Sequence, residues 1–195
     1  MRFSLRLAAL TIGLFLLGPA SAAGDRLGVP GAIEFADMSY ILASADEPQP
    51  GYVKQEYLPK GATFDRYETM MLVEFVEGDM KPAEIVRAQT QMLDERRTMD
   101  PFVNYDIVLA SEGDGIILDF LMSGETEEGT RIAEWNAYRY VSGKNPEGKA
   151  GGWLVGVSRR AYGDDITPFL ERLRTERGAD VATLAAISVP PMSAD

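Results

Sequence analysis

Between Val103 and Arg160 the chain carries four β-rich runs separated by short polar breaks, and that spacing constrains the fold more than any other feature of the sequence. Val103, Tyr105, Ile107 and Leu109 alternate with Asn104, Asp106 and Val108. Ile116 to Met122 is nearly all apolar, with Asp119 its one acid. Arg131 to Val141 is rich in Trp, Tyr and Ala, and Trp153 to Arg160 places Trp153, Val155 and Val157 on one face. The breaks are Gly113-Asp114-Gly115, the acidic run Gly124 to Gly129, and the Gly/Lys/Pro stretch Gly143 to Gly152. Connections this short hold a hairpin turn but not the crossover that parallel strands need. The region is therefore expected to be an antiparallel sheet.

Upstream, Val53 to Leu58 reads as a strand ended by the turn Pro59-Lys60-Gly61, with Pro setting φ. Thr63 is expected to cap one helical turn over Phe64 to Glu68. Met70 to Phe75 reads as a strand buried on both faces. Pro82 to Met99 is the clearest helix: Ile85, Val86, Met92, Leu93 and Met99 recur at helical spacing, and Pro101 prevents continuation. A second helix places Ile166, Phe169, Leu170 and Leu173 at i, i+3, i+4 and i+7. Thr167-Pro168 is its expected N-cap and first position, and Gly178 its stop. Residues 179–187 suggest another short helix. Residues 23–51 are read as a flexible N-terminal segment, 52–187 as a single α+β domain and 188–195 as a tail.

The first 22 residues read as an address. Arg2 and Arg6 precede an apolar run from Leu7 to Leu17, Pro19 breaks it, and Ala20-Ser21-Ala22 has the form of a signal-peptidase site. A membrane span needs roughly 17–25 apolar residues, so this is a secretory signal. The expected location is the periplasm, with no membrane span after cleavage and, in the absence of Cys, no lipid anchor.

The order over about residues 53–178 is strands, helix, four strands, helix, which indicates an α+β fold: a twisted antiparallel sheet flanked by helices. This element order resembles the Mog1/PsbP-like group of exported bacterial proteins, and the resemblance implies a sandwich fold and a role in docking to other proteins or assisting assembly. It carries no residue-level site. The stretch Glu56-Tyr57-Leu58-Pro59-Lys60-Gly61, followed by Tyr67 and Met70, is similar to small exported bacterial proteins of unknown role.

Composition narrows the chemistry. The 195 residues include neither Cys nor His, so there is no disulfide, no thiolate nucleophile and no Ser-His-Asp triad, and zinc would have only carboxylates to hold it. A formal charge of −11 disfavours a phosphate-backbone partner. There is no Gly-rich phosphate loop. Glu112-Gly113-Asp114 lacks the remaining oxygens of a Ca²⁺ loop, and Glu125, Glu127 and Glu128 suit a solvated hairpin tip. Ser111, Ser123, Ser142 and Ser158 have no S-x-x-K spacing for a Ser-Lys enzyme. No metal and no cofactor are expected.

Two constellations remain. Asp119 and Glu134, with Trp135 as a sugar platform, would serve a carboxylate-dependent hydrolase of cell-envelope glycan if they shared a cleft. Otherwise Asp119 faces solvent or pairs with Arg131 or Arg139 across the hairpin. Trp135, Tyr138, Tyr140 and Arg160 form a candidate interface, an aromatic-plus-Arg composition common where proteins meet, unless the rings are simply core. Arg159 and Arg160 point to opposite faces and cannot clamp one group together. The leading expectation is a non-enzymatic binding or assembly-accessory module that docks another envelope protein. The alternatives are the hydrolase and a carrier of a small apolar ligand.

Overall fold

The computed structural model describes residues 24–29, 31–79, 81–109 and 115–187. The expected signal sequence, Ser111, Glu112, the Gly113-Asp114 part of the expected turn and the 188–195 tail lie outside them.

The element order is β1 (Ile33–Phe35), β2 (Met38–Gln49), β3 (Tyr52–Pro59), β4 (Thr69–Glu77), α1 (Pro82–Arg97), β5 (Asn104–Leu109), β6 (Ile116–Glu125), β7 (Arg131–Lys144), β8 (Ala150–Tyr162) and α2 (Ile166–Ala186). All eight strands join one sheet in the order β1-β2-β3-β4-β8-β7-β6-β5, and every neighbouring pair is antiparallel. Strand β8 thus returns from the C-terminal hairpins to zip onto β4, joining two meanders at the centre.

This corrects the expected architecture. The molecule is not a sheet sandwiched between helices but an eight-stranded sheet curled into a half-barrel, with two α-helices among the described residues. Helix α1 packs chiefly on β5–β7 and α2 chiefly on β6–β8, on opposite faces. The β1–β4 half curls around their cores. Register shifts in β2 at Leu42/Ser44 and at Asp46/Gln49 mark irregularities that bend a strand and tighten its twist.

Residues 33–49, expected to be flexible, form two of the strands. Their turn puts Ala36 and Asp37 at positive φ, +48° and +60°, the geometry a two-residue hairpin between Phe35 and Met38 demands. The stretch before them is stapled to β3. The Gln55 side-chain oxygen accepts from the backbone N–H of Arg26 and of Leu27, and the Tyr57 hydroxyl donates to the Val29 carbonyl at 2.8 Å. Leu27, Val29, Phe35, Tyr40 and Tyr57 thereby join the core beneath α2, with Trp135, Trp153 and Phe169. The second core lies under α1 and includes Met70, Leu72, Val86, Leu93, Phe120 and Leu154.

Thr63 makes no side-chain cap for the short 3₁₀ turn Phe64–Arg66. Helix α2 starts after Asp165, not Thr167, and runs through Gly178, so the expected stop and separate short helix are one helix. Gly178 is passed because the helix is pinned on both sides of it: Arg177 bonds Asp119, and Asp180 pairs with Arg159 at 2.8 Å.

Candidate functional site

Because β7 pairs in unbroken register with both β6 and β8, each of its residues has a defined face. The expected acid/base pair does not survive that register. Asp119 lies across from Ala137 on the α2 face, and Glu134 lies across from Arg160 on the α1 face. With the sheet between them the two carboxylates cannot flank one bond, so the paired-carboxylate hydrolase has no site here.

Each acid is closed by other groups. Asp119, 4% exposed, accepts the Trp135 indole N–H at 2.6 Å and the Arg177 Nε–H at 3.1 Å, and the Arg177 terminal nitrogen ion-pairs with it at 2.8 Å. Neither Arg131 nor Arg139 is its partner. Burial raises its pKa against the opposing pull of Trp135 and Arg177. Glu134 ion-pairs with Arg160, whose guanidinium lies 4.3 Å from the Tyr67 ring centroid. Burial works against the charge on Arg160, but Glu134 and Tyr67 outweigh it and hold the pKa above its ordinary value. Asn136 donates to Glu134 at 3.1 Å and accepts from Tyr138 at 2.9 Å and from the Ser158 hydroxyl. This network pairs Glu134, Asn136, Tyr138 and Ser158 with one another and with Arg160.

The candidate interface is likewise divided. Trp135 belongs to the core under α2, while Tyr138, Tyr140 and Arg160 face α1. Trp135 and Tyr140 are each 1% exposed, and Tyr138 lies against Gly156, where an added Cβ would meet its ring at 2.4 Å. These aromatics are packing, not a free patch. The Tyr140 hydroxyl has no hydrogen-bond partner among the described residues. Nearby Glu74 is buried and accepts from Tyr52 at 2.9 Å, and desolvation raises the pKa of both groups.

The surface that is open lies elsewhere, on β5. This strand ends the sheet, so among the described residues one side of its backbone has no strand partner. Ile107, Val108 and Leu109 are 49%, 39% and 72% exposed, with apolar side chains on both faces. Its pairing with β6 is regular over Asn104–Leu109, with no bulge to twist the edge away. The other edge is guarded: β1 is three residues long, β2 is irregular, and Arg26 of the N-terminal stretch pairs with Glu47 of β2 at 3.2 Å. Natural sheets blunt their edges in such ways, whereas β5 has no bulge and only one charged side chain, Asp106. The sequence signal for this was Val108, an apolar residue on the face that Asn104 and Asp106 mark as polar. Alternation alone did not say that β5 would be last in the sheet.

A cleft of about 760 Å³ opens at the rim, lined by Glu77, Asp79, Lys81, Pro82, Ile116 and Ser142 among others. Among the described residues no group of His, Cys, Asp and Glu is arranged to hold a metal ion, and no helix is long and apolar enough to cross a membrane.

No curated protein and no solved structure matches this chain, and nothing relates it to the Mog1/PsbP-like group. A family model does match over residues 27–189, a span that includes all eight strands and both helices, and the chain belongs to that family.

Proposed function

We propose that this protein is an exported, non-enzymatic binding module that takes an extended segment of another envelope protein as a further strand along β5. The carrying observation is the contrast between the two edges. A regular edge with exposed Ile107, Val108 and Leu109 and a single charge, Asp106, is an aggregation hazard unless it has a partner. Strand addition uses such an edge directly: backbone hydrogen bonds supply affinity and alternate side chains supply specificity. The N-terminal Arg2/Arg6, apolar run and Ala20-Ser21-Ala22 support export, and an envelope partner follows from that location.

Selection of a displayed random decapeptide library on the purified protein tests this reading. Strand-forming peptides are expected to enrich and to slow hydrogen exchange at β5 amides. The double variant Ile107→Lys/Val108→Lys should keep its melting temperature and lose the binding. Enrichment of nothing, or protection confined to another part of the molecule, would overturn the proposal.

A further inference from the structure

The charges along β5 specify what kind of segment fits it, given the edge-strand reading above. We infer that the partner segment is basic at the position facing Asp106 and apolar at the positions that flank it. Arg177 of α2 is shared between two carboxylates: it bonds Asp106 at 2.5 Å and Asp119 at 2.8 Å. One guanidinium against two carboxylates leaves a net negative charge. Asp119 is sealed by the Trp135 indole and by the sheet, whereas the Asp106 side chain is 64% exposed on the open strand. The uncompensated charge therefore sits beside the unpaired edge.

The other face of the strand has no such excess. There Asp94 of α1 meets Arg97 at 3.4 Å and accepts from the Tyr105 hydroxyl at 3.2 Å, while the Arg97 guanidinium stacks 5.2 Å from the Tyr105 ring centroid. Beyond Tyr105 that face continues as Ile107 and Leu109, both exposed. A strand laid against β5 in either direction alternates in the same way, so its residue across from Asp106 meets the carboxylate, and its neighbours turn to the Tyr105–Ile107–Leu109 face. Lys or Arg in the first place and apolar residues in the second complement both faces. A second copy of this chain fits worse. Each copy carries −11, and β5 contains no Lys or Arg to answer Asp106. The overall negative charge also steers basic segments toward the protein and is felt most at low salt.

The test uses the same displayed decapeptides, with selected peptides remade and their affinity measured by fluorescence polarisation. The wild-type protein should enrich apolar–basic–apolar alternation. Asp106→Asn should weaken the selected peptides by about two- to fivefold, the range of one cross-strand charge pair, and abolish the basic preference. Asp106→Lys should reverse that preference toward Glu or Asp. Peptides that need Ile107 and Val108 but show no basic preference, or a preference unmoved by Asp106→Lys, would overturn this inference and leave the edge reading standing. Peptides indifferent to Ile107→Lys/Val108→Lys would remove the edge reading, and this inference with it.

Discussion

Glu74 shows how a single side chain carries a pH dependence. It is 5% exposed on the α1 face and accepts from Tyr52, and desolvation holds its carboxyl above the usual range despite Lys54 and that hydrogen bond. With the folded pKa above the unfolded one, the native state binds the extra proton as pH falls, and ionisation at neutral pH costs stability. Glu74→Gln retains an acceptor for Tyr52 and removes the buried charge. It should therefore raise the melting temperature at pH 8, with a gain that shrinks as pH falls toward the ordinary glutamate value near ~4.3. A gain independent of pH, or a loss at pH 8, would contradict desolvation as the cause. At this scale the sequence was informative about which polar residues interrupt apolar strands, and uninformative about their partners. Asp119 was legible as an acid in an apolar run. Arg177, 58 residues away in the chain, was not legible as its partner, because helix docking decides that contact.

At the scale of elements, α2 separates local preference from tertiary override. Gly178 is a good stop signal in isolation, and the helix nevertheless continues to Ala186. Polar pins on either side of the glycine and Leu184 beyond it hold the second half against the sheet. The helix then carries the glycine at a cost of roughly 0.8–1 kcal/mol relative to Ala. Nothing lies within 4 Å of a Cβ built there, and its φ is not positive. Gly178→Ala should thus stabilise the protein by about 1 kcal/mol in urea unfolding. Destabilisation would mean that the glycine serves a close contact after all. The strands from 103 to 160 and both helices were readable because period and turn residues are local signals. Strands β1 and β2 were not, because Gly- and Pro-rich flanks mask a hairpin whose own turn, Ala36-Asp37, lacks the glycine that positive φ usually invites.

Over the whole molecule, charge and the open edge act together. The chain has 19 basic and 30 acidic residues, no His and a sequence pI of about 4.5, so its charge stays nearly constant from about pH 6 to 8. No histidine-type switch exists in that range. The raised pKa values of Glu74, Asp119 and Asp180 make stability hold or rise as pH first drops below neutral. Asp100 opposes this at lower pH. Burial alone would raise its pKa, but the bonds from Ser123, Arg96 and Phe102 prevail and lower it, so its contribution is lost only as pH falls through that depressed value. Solubility follows a different course. Near pH 4.5 self-repulsion vanishes and the β5 edges are free to pair. Turbidity should peak there, and Ile107→Lys, which places a charge on the edge, should suppress it. A peak unchanged by that substitution would place the association elsewhere.

The sequence by itself determined the antiparallel pairing of the C-terminal hairpins, the two helical stripes, the absence of thiol and imidazole chemistry, and the acidic balance. Each depends on residue type and on spacings of a few positions. Only the tertiary structure decided that β8 zips onto β4, that the sheet curls into a half-barrel, and that Asp119 and Glu134 end on opposite faces. It also decided that β5 is last in the sheet. The reason is range. Strand order and face are settled by pairings between residues as distant as Thr69 and Arg159, and a shift of one residue in register reverses every side chain on a strand.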